Sequence, residues 1–463
     1  MSDVFVVEDD NASVLSYNEK IKMIRSVISM THSIDLTYQN ITDQKMKIFV
    51  LFYTPQMSLY IKLQSITELY LDNNDIYCSF TFLFDILQLN TIKRLSLFNN
   101  KLDDEGTIVL SKYLSNDIYI SNYNYLANLE YLNIGQNYIG YEGAEALSNA
   151  LKTHKYLIEL DISDNNITSL GANYIGEMLK MTKSISYLNV NDNNINIYEC
   201  SIFVNSISMN TTLTILNLGC NDFENPNQND TDNENNITKI QEVIKLILSS
   251  TSIKNLVLDN CYIDDITTDY IANGLKENNT IQSIYLRNNE ISNEGAYVLF
   301  NALKNNEITV LKNMDLSYSY IDNECIGSFA ELLGCNNVLE IVNMYYTDIN
   351  NEGLLELSKR PELEINESLI ELTFGQDDID EEIPIKNEYI SSILDRNRHL
   401  YWHPCYYNTS LFNNGSHGNT HNIVQMIMST LLCNTYGNFT YKLPMSVLIY
   451  IFKFFNRSQF IRL

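Results

Sequence analysis

One phrase recurs eleven times along the chain: apolar-x-x-apolar-x-apolar-x-x-Asn-x-apolar. Its clearest copies run from Leu129 to Ile139, from Leu157 to Ile167 and from Ile185 to Ile195. The others begin at Ile66, Ile92, Leu213, Ile253, Ile281, Leu311, Leu339 and Leu369. Successive copies are offset by 26, 37, 28, 28, 28, 40, 28, 30, 28 and 30 residues. A period this regular restricts the chain to a stack of like units.

Each part of the phrase predicts a local structure. The fourth and sixth positions, such as Leu132 and Ile134, share one face of a short strand, and the residues between them point to the other face. The ninth position can turn a small polar side chain onto backbone N–H and C=O groups where the strand ends, linking one coil to the next. It reads Asn74, Asn100, Asn137, Asn165, Asn193, Asn221, Cys261, Asn289, Ser319, Thr347 and Asp377, so the ladder weakens toward the carboxyl end without being lost. Between phrases runs a second pattern, as in Gly143-Ala144-x-x-Leu147-x-x-Ala150-Leu151. Its spacing makes an amphipathic helix, whose Gly-Ala start is expected to permit close packing on the strand layer. A strand and a helix in about 28 residues cannot bury an apolar face alone, so neighbours must stack into one solenoid domain spanning residues 66–396.

These residues resemble the ribonuclease-inhibitor-like class of leucine-rich repeats, through both Leu-x-x-Leu-x-Leu-x-x-Asn/Cys and the Gly-Ala-x-x-Leu-x-x-Ala-Leu helix. The resemblance implies an α/β horseshoe of about eleven repeats, with a concave parallel sheet, convex helices and protein binding on the concave face. It does not select an activity, since that class includes inhibitors, GTPase-activating proteins, innate sensors and ubiquitin-ligase receptors.

Residues 1–65 show no register and are expected to form an amino-terminal cap. Two offsets exceed the period. One unit carries about nine extra residues near Ser115–Tyr125, and another carries Glu224–Asn236, which holds four acids and no apolar residue and reads as a mobile surface loop.

Register also predicts what the concave face offers. Glu159, Asp161, Ser163 and Asp164 come from one repeat, Tyr131 and Asn133 from the one before, and Tyr187 and Asn189 from the one after. Strands about 4.8 Å apart would set the carboxylates between two tyrosines, a dock for a basic or Arg-bearing segment. A second cluster, Asp259, Tyr285, Arg287, Asp315, Tyr318, Tyr345 and Tyr346, is mixed in charge. A plain solvated acidic sheet is the competing reading of both. No Gly-rich phosphate loop, Gly-x-Ser-x-Gly elbow or His-Glu-x-x-His is present, so no catalytic site and no cofactor are expected.

Charge divides the chain. The net −27 is −33 over the first 395 residues, where all 57 acids lie, and +6 from Arg396 to Leu463, which holds no acid. The acidic part predicts no binding to nucleic acid or anionic membrane. The acidic amino end does not read as a secretory leader, no apolar stretch reaches the roughly 18 residues of a membrane span, and the eight cysteines contain no Cys-x-x-Cys. The expectation is a soluble cytoplasmic protein with free thiols and no metal; His399, His403, Cys405, His417 and His421 lack an anchoring knuckle.

A Gly/Asn-rich linker, 397–422, leads to a helical segment, 423–463. The part that opens Leu443-Pro444 is apolar almost all round and must bury itself in something. Leu443, Pro444, Val447, Leu448, Ile451, Phe452 and Phe455 resemble a truncated F-box. That resemblance implies docking of these residues on the adaptor of a cullin–RING ubiquitin ligase, with the repeats reading the substrate. Two other readings stand beside it: a helical cap over the last coil and an interfacial membrane helix. The functional expectation is a non-enzymatic protein-binding module, in its finer form such a ligase receptor, with a GTPase-activating or regulatory protein of the same repeat class as the alternative.

Overall fold

A computed structural model describes residues 33–46, 67–78, 91–115, 126–224, 233–304, 306, 308–375 and 388–402. Two compact units divide the chain, Met1–Asn387 and Glu388–Leu463.

The first unit is a leucine-rich-repeat solenoid. Among the described residues, twelve strands form one sheet in strict chain order, every neighbouring pair parallel. They are β1 (Ser33–Asp35), β2 (Glu68–Tyr70), β3 (Arg94–Ser96), β4 (Tyr131–Asn133), β5 (Glu159–Asp161), β6 (Tyr187–Asn189), β7 (Ile215–Asn217), β8 (Asn255–Val257), β9 (Ser283–Tyr285), β10 (Asn313–Asp315), β11 (Ile341–Tyr345) and β12 (Glu371–Gly375). Helices alternate with them, among them Asp103–Leu114, Tyr141–Leu151, Thr168–Met181, Asp265–Glu277, Asn293–Lys304 and Ile326–Cys335. Packed helices need about 8–10 Å each and paired strands about 4.8 Å. Such a stack therefore bends with its sheet on the inner, concave side.

The core follows the phrase. Leu69, Leu95, Leu132, Leu160, Leu188, Leu216 and Leu256, each the middle residue of its strand, are fully buried. Each contributes about 2 kcal/mol by leaving water. From the other side Ala144, Leu147, Ala150 and Leu151 close the same layer, as the helix pattern predicts. After the strand, the eighth position turns the chain through the left-handed region at Asn73, Asn99, Gln136, Asp164, Asp192, Cys220, Asn260, Asn288, Tyr318 and Tyr346, with φ between 52° and 58°. Asn and Asp tolerate that conformation best among residues with a Cβ.

The ninth-position ladder is present. Asn165 donates from Nδ2 to the carbonyls of Ile134 and Ile162, and its Oδ1 accepts from the N–H groups of Asn137 at 2.9 Å and Ile139 at 3.0 Å. Asn100, Asn193, Asn221 and Asn289 repeat the arrangement. Where Cys261 replaces Asn, the thiol reaches the Leu218 carbonyl but offers no amide oxygen, and the Phe223 N–H turns to the Cys261 carbonyl instead. Further along, Ser319 Oγ is buried with no partner.

Three features differ from the sequence expectation. First, β1 lies inside the segment read as a cap, so the sheet starts one coil before Ile66. That coil has Thr31 and Gln39 where the phrase has an apolar residue and Asn, which hid it. Second, Asn233–Leu248 is a helix, so the last residues of the Glu224–Asn236 insertion are helical rather than loop. Third, the helix-start glycines serve the neighbouring coil more than the strands. A Cβ on Gly143 would lie 2.7 Å both from Asp104 Oδ1 of the preceding helix and from Ile139 Cγ2 of its own coil, and one on Gly171 would meet Ile167 Cγ2 of its own coil first and then the Ala144 Cβ at 3.1 Å.

The helix Glu388–Trp402 belongs to the second unit, so the structural division falls eight residues before the charge break at Arg396. Among the described residues, no helix is long and apolar enough to cross a membrane.

Candidate functional site

The strand residues at the third and fifth positions of the phrase make the concave surface, with those at the seventh and eighth continuing it beyond the strand. Pairing sets Glu159 directly between Tyr131 and Tyr187, and Asp161 between Asn133 and Asn189. Of the three carboxylates expected between the tyrosines, Glu159 alone lies there, and the outward strand residues are half-buried except Asn189, which is buried.

Its acids do different work. The N–H of the seventh position needs an acceptor as the strand ends, and in seven coils the Asp or Asn two residues earlier supplies it: Asp35, Asn133, Asp161, Asn189, Asn217, Asp315 and Asn343. Asp161 is thus engaged. Its Oδ1 accepts from the Ser163 N–H at 3.0 Å and hydroxyl at 2.6 Å, and its Oδ2 from Asn189 Nδ2 at 3.0 Å. Asp315 repeats this with Ser317 and Asn343. Two coils have Ser96 or Tyr285 in place of the Asp or Asn, and there the preceding coil helps. Asp72 accepts from the Phe98 N–H at 3.0 Å, and Asp259 from the Arg287 N–H at 2.9 Å. Burial above all pushes the Asp259 carboxyl up to about 6; the Arg287 N–H opposes this and the charge of Asp315 adds to it.

Glu159, Asp164 and Asp192 are left over. None of their carboxylates takes a hydrogen bond among the described residues, and Asp164 and Asp192 are exposed at adjacent coils. Partial desolvation of its carboxylate, and then the charge of Asp164, raises the Asp192 pKa from its ordinary value. The same negative field reaches the tyrosines. Tyr187 is pushed up to about 12 by burial first and then by Asp161, Tyr131 and Glu159, and Tyr131 is raised chiefly by burial. Sequence reasoning did not single out Asp192, nor Arg94 on β3, whose guanidinium carbon lies 4.0 Å from the Tyr131 ring centroid. Their positions in the phrase, eighth and third, were the available signal.

The second cluster is largely one aromatic group. Tyr318 and Tyr346 stack with centroids 4.6 Å apart, Tyr345 lies against both, and Arg287 sits 4.6 Å from the Tyr318 centroid. Tyr285 pairs with Val257 and Asp315 on the same face but has no ring contact among the described residues.

Reactive chemistry finds little support here. Burial holds the Cys200 and Cys325 thiols up at about 12, far from a nucleophilic thiolate. Among the described residues no group of three His, Cys, Asp or Glu is arranged to hold a metal. His399 lies in the helix Glu388–Trp402. His403, Cys405, His417, His421 and the adaptor candidates Leu443, Pro444, Val447, Leu448, Ile451, Phe452 and Phe455 lie outside the described residues.

Comparison with known proteins agrees with the repeat. Residues 88–111, 125–148, 153–176, 210–226 and 277–300 match the family model described as Leucine Rich repeat. A mouse (Mus musculus) protein, NACHT, LRR and PYD domains-containing protein 4C, is 30% identical over 102 residues, which are 22% of this chain; the chain spans 10% of that protein. Among solved structures, an internalin (inlF) from Listeria monocytogenes aligns over 68% of this chain and 76% of its own, at 16% identity and a TM-score of 0.39. The actin-binding site 2 of leiomodin-1 aligns over 43% and 88%, at 18% identity and a TM-score of 0.26. The tropomodulin C-terminal domain of Caenorhabditis elegans aligns over 43% and 92%, at 15% identity and a TM-score of 0.25.

Proposed function

We propose that this leucine-rich-repeat protein is a non-enzymatic module that holds a protein partner on its concave sheet, with Tyr131, Glu159, Asp164 and Tyr187 at the centre of the contact. The observation that carries this reading is the Glu159 carboxylate, without a hydrogen-bond donor among the described residues and set in register between two tyrosines. Tyrosine gives broad contact at small entropic cost, and an unpaired carboxylate beside it favours a basic partner. Asp161 supports the site by holding the turn after β5, and Tyr285, Arg287, Tyr318 and Tyr345 extend the contact along the sheet. Affinity purification with the full chain tests this. A Glu159→Ala/Tyr187→Ala double variant with an unchanged melting temperature is expected to lose the captured partner, and full retention of it would refute the proposal.

The finer reading makes the module the substrate receptor of a cullin–RING ubiquitin ligase. It rests on the F-box-like residues Leu443–Phe455 alone. Removal of residues 441–463 should then abolish co-purification of a ligase adaptor while leaving partner capture intact; adaptor recovery with the shortened chain would argue against it.

A further inference from the structure

We infer that the partner presents an arginine, whose guanidinium lies flat on the Tyr187 ring with its N–H edge on the Glu159 carboxylate. This deepens the concave-face reading and rests on it.

Among the described residues the chain uses the same pairing twice for itself. Arg94 covers Tyr131 and Arg287 covers Tyr318, and in both cases the cation comes from the strand or turn one coil earlier. Tyr187 sits in the same row as Tyr131 but is not covered in this way. Its register neighbour one coil earlier is Glu159 and one coil later is Ile215, so among the described residues neither adjacent strand sets a cation beside it. Glu159 thus holds beside Tyr187 the register position that Arg94 holds beside Tyr131. An incoming planar cation would meet a π face and a hydrogen-bond acceptor about 4.8 Å apart. That spacing suits the flat, forked guanidinium better than the compact, strongly hydrated ammonium of lysine.

Neighbouring groups favour the same occupant. Asp161 is tied up by Ser163 and Asn189 and does not compete for the ligand, whereas Asp164 and Asp192, adjacent and like-charged, keep the end of the strand negative. On the far side Arg94 sits on Tyr131, which limits an arriving cation to the Glu159–Tyr187 half of the row.

Two fluorescent peptides of equal length and charge, an oligoarginine and an oligolysine, test this by polarisation against the full chain at fixed moderate salt. The arginine peptide is expected to bind about fivefold more tightly, in line with one exposed cation–π contact plus a charge-assisted hydrogen bond. Glu159→Gln and Tyr187→Ala should each erase that preference, Tyr187→Phe should keep it, and Tyr262→Ala, an exposed tyrosine off this row, should leave it unchanged. Equal binding of the two peptides, or a preference that survives both Glu159→Gln and Tyr187→Ala, overturns the arginine assignment. If the Glu159→Ala/Tyr187→Ala chain still loses its partner in that case, the concave-face reading stands and only the arginine falls.

Discussion

At the scale of single residues, the abundance of Asn, about one residue in eight, acquires specific uses. Asn fills the left-handed eighth position, the ladder at the ninth, and a third site that spacing alone did not reveal. At the end of each helix Asn210, Asn278 and Asn366 donate to a carbonyl of the preceding coil and accept two N–H groups from the chain turning into the next strand. His154 takes the same place, with Nε2 2.9 Å from the Leu126 carbonyl and Nδ1 facing the N–H groups of Tyr156 and Leu157. Burial lowers its pKa, so this histidine is a neutral structural group. Asp259 is the residue where charge and structure conflict. Its folded carboxyl at about 6 lies above the ordinary 3.8, so the folded state binds the proton more tightly and stability falls as pH rises between those values. Asp259→Asn keeps an acceptor for the Arg287 N–H and removes that loss. The variant should melt above the parent at pH 7.5, with the gap closing as pH is lowered through 6 toward 4. A gap that does not change with pH would show that the charge is not the cause.

At the scale of elements, strands and helices were legible because each phrase repeats the two-residue and the helical period side by side. The missed strand β1 shows the limit: two substituted positions hide a coil from pattern reading, while the backbone pairing Ser33 to Glu68 ignores side-chain identity. The packing of helix on helix was less legible still. Gly176 lies in the middle of Thr168–Met181, where a Cβ would come 2.5 Å from the Cα of Phe203 in the next helix, Ser201–Met209. Gly327 lies in Ile326–Cys335, and a Cβ there would find nothing nearer than 3.5 Å. Gly176→Ala should therefore cost about 2 kcal/mol through overpacking against backbone. Gly327→Ala should be neutral or stabilise by up to about 1 kcal/mol through helix propensity. Urea unfolding of the two variants checks the contrast, and equal effects would mean that close helix approach does not govern these positions.

At the scale of the whole molecule, the concave acids could be counted from the sequence but not sorted. Glu159 and Asp161 look alike in one dimension; what separates them is a hydroxyl two residues on and an amide one coil away. Once that rule is known it can be read back, since Asp315, Ser317 and Asn343 repeat it at the same intervals. The rule also distinguishes the joints of the stack. Coils four to seven each supply their own seventh-position acceptor, whereas coil nine takes its acceptor from coil eight through Asp259. Removing residues 157–184, one full period, should leave a folded and cooperative solenoid. Removing 253–280, also one period, leaves the exposed Arg287 N–H to water alone and should cost about 0.5–1.5 kcal/mol more. Comparison of the two deletions by denaturant unfolding decides this, and equal penalties would count against the shared acceptor. Seen as a history of gain and loss, copy number could drift freely through coils four to six by slippage of a 28-residue unit, while coils eight and nine would have to be inherited as a pair.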